Sequence, residues 1–326
     1  MSELRPRILM ARQVFPEVAE RLRQHFEVHT NDADASWSQD EFIRRLQGCA
    51  GAFTTGAERV DEAVLAACPQ LRIVANMAVG YNNFDIAAFD RHGVQATNAP
   101  GVLTETTADF GFALLMATAR RIAESEHFLR SGQWRRWRYD MFLGSEIHGS
   151  TLGILGMGRI GQGIARRGAQ GFGMRVIYHN RSRLDAATEA ACAARYVDKD
   201  ELLRQSDHLV LVLPYSPDAH HAIGAPELAR MKPGATLVNI ARGGIVDDAA
   251  LAHALREGPL AAAGLDVFEG EPAVHPDLLA VPNVVLTPHI ASATAATRRA
   301  MADLAADNLI QYLRTGRAVT PINALA

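Results

Sequence analysis

Residues Gly153-Ile-Leu-Gly156-Met-Gly158-Arg-Ile-Gly161 constrain this chain more than any other stretch. The apolar run Gly153 to Leu155 reads as a short buried strand, and Gln162 to Gln170 has helical spacing with no proline. A strand, a glycine turn and a helix in this order suit the pyrophosphate of a dinucleotide. Gly156 permits the tight turn, Gly158 lets the backbone approach the anion, and Gly161 lets helix and strand pack closely. The helix N-terminus adds unpaired N–H groups and a partial positive charge. A second apolar strand, Met174 to Tyr178, arrives where a βαβ unit requires it, which separates the motif from an ordinary glycine turn.

The end of that second strand bears on which dinucleotide binds. NAD sites place an acid about 20 positions on, against the ribose hydroxyls. Here the position is Asn180, followed by Arg181-Ser182-Arg183. No carboxylate stands there to repel a 2′-phosphate, and Arg181 can offer it a planar fork. NADP(H) is therefore the expected cofactor, with NAD(H) second. The plainer alternative leaves Arg181 and Arg183 as solvated loop residues.

Strands are expected at 7–11, 26–29, 50–54, 71–75 and 94–97, interleaved with helices at 16–24, 39–47 and 61–67. Ser38 and Glu41 have the spacing of a capping box. Beyond the glycine turn, strands are expected at 208–213, 235–240, 261–266 and 283–286, and a final helix from 293 to about 313. The segment from Thr104 to about Leu129 has helical periodicity without a breaker after Gly111, and its length suggests a helix linking two domains. Residues 133–149 read as an irregular, tryptophan-containing loop. The fold class is α/β: two Rossmann-like domains with parallel sheets. A substrate domain of 1–101 plus 289–326 is discontinuous around a dinucleotide-binding domain of 102–288.

The 326 residues suffice for two cores, and a net charge of −3 gives no footprint for nucleic acid or an anionic membrane. Trp134 and Trp137 flank arginines, but the acidic balance elsewhere assigns their loop to packing or an interface. No apolar run approaches the ~20 residues of a membrane span. The first seven residues lack a signal-peptide apolar region, so a cytoplasmic location is expected. Cys49, Cys68 and Cys192 are scattered without metal or redox spacing and read as inert core thiols. His220-His221 has no third ligand at metal spacing, so no metal is expected.

Reactive side chains gather at three strand ends. Asn239-Ile-Ala-Arg242-Gly-Gly places an arginine beside glycines, suited to fork onto a carboxylate and polarise an adjacent carbonyl. Asp266, Glu269 and Glu271 crowd the next end, and Thr287-Pro288-His289 closes the last. An imidazole is the natural proton donor to a ketone under reduction, and a neighbouring carboxylate keeps an imidazole protonated.

These motifs, with Val79-Gly80-Tyr-Asn-Asn-Phe-Asp85, Val102-Leu-Thr-Glu-Thr-Thr-Ala-Asp109, Gly264-Leu-Asp-Val-Phe-Glu-Gly-Glu-Pro272 and Pro288-His-Ile-Ala-Ser-Ala-Thr294, resemble the D-2-hydroxyacid dehydrogenases. Within that family the chain looks most like the glyoxylate/hydroxypyruvate (2-ketogluconate) reductase branch. The resemblance implies that Arg242 binds the substrate carboxylate and polarises the keto group, and that Glu271 pairs with His289, the general acid or base. It implies backbone amides at Val79 and Gly80 on the carboxylate and Asp266 on the nicotinamide carboxamide. The implied cofactor set comprises Thr107, Gly156, Gly158, Arg159, Ile160, Gly161, Asn180, Arg181, Ser182, Pro214, Ala241 and Asp266. It further implies a homodimer through the coenzyme domains, with the 133–149 loop reaching the partner; Met141 stands where some relatives have a tryptophan. The expected reaction is NADPH-dependent reduction of small 2-keto acids, the alternatives being a dinucleotide-sensing, corepressor-like protein or a phosphoglycerate dehydrogenase.

Overall fold

Strands such as Ile73–Asn76 and Thr236–Asn239 are buried at every residue, as parallel sheets covered on both faces require. The computed structural model describes residues 5–325 and contains two such sheets, in two compact units: Met1–Leu103 with Thr294–Ala326, and Thr104–Ala293.

The first unit runs β1 (Arg7–Met10), α1 (Pro16–Arg23), β2 (Glu27–Thr30), α2 (Gln39–Leu46), β3 (Gly51–Thr54), α3 (Glu62–Ala67), β4 (Ile73–Asn76), α4 (Ile86–His92) and β5 (Gln95–Thr97). Its sheet has the order β2-β1-β3-β4-β5, parallel throughout. Side-chain caps set the helix starts: Ser38, Asp61 and Asp85 each accept an N–H from the first turn. The capping box at Ser38 forms only by half, because the Glu41 carboxylate turns to Arg44 and Arg45.

The second unit begins with α5 (Thr104–Ala119) and α6 (Ile122–Arg130), and continues with β6 (Thr151–Leu155), α7 (Arg159–Arg166), β7 (Arg175–His179), α8 (Ala186–Ala191), β8 (Ala194–Tyr196), α9 (Lys199–Gln205) and β9 (His208–Leu211). Then follow α10 (Ala225–Leu228), β10 (Thr236–Asn239), α11 (Asp248–Glu257), β11 (Ala262–Leu265), α12 (Pro276–Ala280) and β12 (Val284–Leu286). The sheet order is β12-β11-β10-β9-β6-β7-β8, again parallel. Winding reverses between β6 and β9, and such a switch point opens a ligand crevice at the carboxyl ends of the strands. The chain then returns to the first unit as α13 (Ala295–Thr315), which packs on β3 and β4.

Several details differ from expectation. The helix over 104–129 is broken: α5 stops at Ala119, whose carbonyl accepts the Ser145 N–H at 2.8 Å. Arg121 then adopts φ +53, held by a fork onto Glu124 and a position 5.3 Å over the Phe142 ring. Nor is α5 a free-standing linker, since it packs on α7, β10 and β11 within the second unit. The helix after the glycine turn starts at Arg159 rather than Gln162 and passes at Arg167 into a π-helical turn. The short edge strand β8, with no fully buried residue, was not expected. The two units divide at 103/104 and 293/294, and the His289 N–H donates to the Asp266 carbonyl at 2.9 Å.

The three cysteines are free and buried, and burial pushes their thiols up, Cys49 to about 11. Among the described residues no helix is long and apolar enough to cross a membrane.

Candidate active site

The glycine turn leaves β6 with Gly156 at φ +102, where a Cβ would lie 2.5 Å from the Leu213 nitrogen of the neighbouring β9 loop. A Cβ on Gly161 would lie 2.5 Å from the Gly156 oxygen. Both positions demand glycine on steric grounds. At Gly158, by contrast, a Cβ would meet nothing within 4 Å, so the space over the start of α7 is open. Gly158 supplies no side-chain cap, leaving the amides at Arg159 and Ile160 for an anion. The Thr107 hydroxyl on α5 is buried with no hydrogen-bond partner, beside the contact of Ala108 with Gly163 of α7. An open cradle, free helix amides and an orphaned hydroxyl fit a dinucleotide.

After β7, Asn180 faces inward: its Oδ1 accepts the Met157 N–H at 2.6 Å, and its carbonyl accepts the Tyr196 hydroxyl at 3.2 Å. It braces the glycine turn. Arg183 forks onto Glu189 at 2.9 and 2.7 Å, and Glu189 also accepts the Tyr178 hydroxyl. Arg181 and Ser182 are exposed. Of the two loop arginines, Arg183 is thus committed within the unit, and Arg181 has no ion-pair partner among the described residues.

Side chains on successive strand ends converge. The Asn239 amide folds the turn after β10, its Oδ1 accepting the Ala241 N–H and its Nδ2 donating to the Arg242 carbonyl. The half-buried Arg242 donates from Nη1 to the Ala241 carbonyl at 2.7 Å. Burial lowers its guanidinium from the ordinary value and Glu271 partly restores it; arginine stays charged under such shifts. A Cβ on Gly243 would lie 1.8 Å from the Phe268 carbonyl oxygen, so the arginine loop and the acid loop touch backbone to backbone.

In that acid loop Glu271 accepts the Phe268 N–H on Oε1 at 2.9 Å and contacts His289 Nδ1 through Oε2 at 2.8 Å. Burial alone would raise this carboxyl; the His289 bond, the Phe268 amide and the charges of His289 and Arg242 outweigh it and hold the group below its usual range. His289 sits at φ +54, a conformation costly for a non-glycine residue unless its surroundings impose it. They do so through Asp266, which is fully buried. Its Oδ1 accepts Thr287 Oγ1–H and the Ile290 N–H, and its Oδ2 accepts the Ala291 N–H, at 2.7 to 2.8 Å. In the structure Asp266 anchors the histidine segment. The imidazole is about half exposed, and its Nε2 has no partner among the described residues.

In the first unit, the turn after β4 carries Val79 and Gly80. Their carbonyls are held by Asn98 Nδ2 and Asn76 Nδ2, whereas their N–H groups have no partner among the described residues. Pro214 and Ala241 follow β9 and β10 at the carboxyl edge of the second sheet. One cluster escaped the sequence reading. Glu269 folds onto the His220-His221 pair, its Oε2 2.9 Å from His221 Nε2, and supplies the third potential ligand that sequence spacing did not offer.

Residues 112–291 match the family described as D-isomer specific 2-hydroxyacid dehydrogenase, NAD binding domain. Over 313 residues the chain is 47% identical to the glyoxylate reductase of Thermococcus onnurineus, covering 95% of this chain and 93% of that one. It is 48% identical over 314 residues to the glyoxylate reductase of Aeropyrum pernix, with 94% and 93% covered. Among solved structures it is similar to an NADPH-dependent glyoxylate/hydroxypyruvate reductase from Sinorhizobium meliloti in complex with NADP and malonate. That match has a TM-score of 0.84 and 38% identity, and covers 98% of this chain and 97% of the other.

Proposed function

The chain belongs to the D-isomer specific 2-hydroxyacid dehydrogenase family, and from that premise we propose that it reduces glyoxylate, hydroxypyruvate and related small 2-keto acids such as 2-ketogluconate to D-2-hydroxy acids with NADPH. The observation that carries the reading is the 2.8 Å contact of His289 Nδ1 with Glu271 Oε2. It fixes the ring, keeps a negative charge against it, and leaves Nε2 to face a substrate. The named activities of the relatives, glyoxylate reductase in both archaeal proteins, support the substrate class.

A bound nicotinamide dinucleotide supplies the hydride for the keto carbon. The chain's own residues do the rest. Arg242 forks onto the substrate carboxylate and leans on the keto oxygen. His289 delivers a proton from Nε2 to the oxygen as negative charge develops there, and Glu271 stabilises the imidazolium beforehand. Exposed Trp134, Trp137, Tyr139 and Leu143 on the 133–149 loop support a homodimer as part of the same reading. Following NADPH absorbance with glyoxylate and hydroxypyruvate tests the proposal; no oxidation with any 2-keto acid overturns it.

The cofactor preference rests on Arg181. Arg181→Ala should raise KM for NADPH by roughly 5- to 150-fold, the equivalent of about 1–3 kcal/mol for a charge-assisted contact. KM for NADH should hardly move. Equal losses with both cofactors would remove the phosphate-binding assignment.

Glu271→Gln tests the proton donor through pH. The native carboxyl lies below its usual range, so Glu271 is an anion throughout the neutral region and sets its charge against the ring. Removing that charge should move the pH above which reduction declines toward lower values. An unaltered kcat profile in Glu271→Gln would dissociate the acid from proton transfer.

A further inference from the structure

Outside the reaction site, His220, His221 and Glu269 gather on the second unit with their ligating atoms within 4.8 Å of one another. We propose that these three side chains bind a divalent transition-metal ion of the zinc class, with water completing the coordination. The two imidazoles are stacked, ring centroids 3.9 Å apart and planes 20° from parallel, so both Nε2 atoms reach the same carboxylate. His221 Nε2 lies 2.9 Å from Glu269 Oε2 and His220 Nε2 3.8 Å from Oε1. Ligands about 2.0–2.1 Å from a tetrahedral ion stand roughly 3.3 Å apart, between those two separations. Small side-chain rotations suffice to seat the ion.

The surroundings are those of a metal site and not only of an ion pair. Metal-binding histidines commonly have the second ring nitrogen oriented by an oxygen. Here His220 Nδ1 is 3.2 Å from the Tyr215 hydroxyl, and His221 Nδ1 is 3.9 Å from Asp247 Oδ2. Backbone placement is fixed as well: His221 sits at φ +50, and its N–H donates to the Gly244 carbonyl at 2.7 Å. The Glu269 N–H reaches Asp248 Oδ2 at 3.3 Å, which adds carboxylate charge behind the ligands. The three ligands are partly exposed, so an ion and its water have access. Two imidazoles and one carboxylate with an open position suit Zn²⁺, Co²⁺ or Ni²⁺ better than Mg²⁺ or Ca²⁺, which prefer oxygen. Because Glu269 lies in the loop that carries Glu271, a bound ion would tie His220 and His221 to that loop and stabilise the folded chain by mass action.

Tag-free protein, stripped with chelator and titrated with Zn²⁺ in a calorimeter, should bind one ion per chain and melt at a higher temperature with zinc than without. Co²⁺ should give the visible absorption of a low-symmetry site. Two variants guard against a folding defect: Glu269→Gln keeps the shape of the ligand, and His221→Asn keeps a residue tolerant of left-handed backbone. Each should melt near the native temperature without metal, and each should lose affinity at least about 10-fold together with the zinc-dependent rise in melting temperature. No binding to the native protein overturns the proposal, as does undiminished binding in both variants, which would locate the ion elsewhere.

Discussion

His289→Ala should lower kcat for glyoxylate reduction by roughly 10²–10⁴-fold while leaving NADPH affinity nearly intact, the range for a lost general acid. In the imidazole, Nδ1 is taken by Glu271, while Nε2 has no partner among the described residues. Alanine also removes the side chain from a backbone at φ +54, where it relieves little strain, so His289→Asn serves as a control that tolerates this conformation yet cannot donate an acidic proton. Both variants should retain the native melting temperature within a few degrees and both should be slow. Single-turnover measurement separates the chemical step from product release. A variant with native kcat would strip His289 of its role.

The second large effect is expected at Arg242. Arg242→Lys keeps the charge and loses the planar fork, so KM for the keto acid should rise and kcat should fall together, by roughly 10²–10³-fold in kcat/KM, the scale for removing one donor to a developing oxyanion. Both parameters move because the carboxylate contact exists in ground and transition states, whereas the contact to the keto oxygen strengthens as charge accumulates there. If the guanidinium only braced its turn through the Ala241 carbonyl, lysine would cost melting temperature and spare the kinetics of the folded fraction. A destabilised variant with native kcat/KM would take Arg242 out of the mechanism.

How far the sequence reached depended on whether a feature was local. Continuous apolar runs such as Leu237-Val238 and Ile73-Val74 read directly as covered parallel strands, and the spacing of Gly156, Gly158 and Gly161 carries its own steric logic. The break after Ala119 was not legible. It arises when Ser145, far along the chain, brings its N–H to the last helical carbonyl, and no residue near Arg121 announces that. Asn180 stands at the position where an NAD site carries an acid, and in the fold its Oδ1 accepts the Met157 N–H, a contact that nothing local in the sequence announces. A side chain's identity was legible here and its direction was not. The His220-His221-Glu269 cluster was hidden for a related reason: its members are 48 residues apart between His221 and Glu269, after β9 and after β11, and meet only once both strands are paired with β10. Arg242, Glu271 and His289 stood out because each follows a strand that ends at the same edge, so the topology alone assembles them.

The close approach of Gly243 to the Phe268 carbonyl has a bearing on how substrate range can be tuned. With no room for even a methyl group between them, the segment bearing Arg242 and the segment bearing Glu271 are geared together: displacing one drags the other, and with it the hydrogen bond that orients His289. A longer or bulkier keto acid therefore cannot be accommodated by drawing the arginine back, because the proton donor would be misaligned in the same motion. On the proposed roles of Arg242 and His289, selectivity is adjusted by residues that touch the variable tail of the substrate, while the carboxylate and keto carbon are read by a fixed gauge.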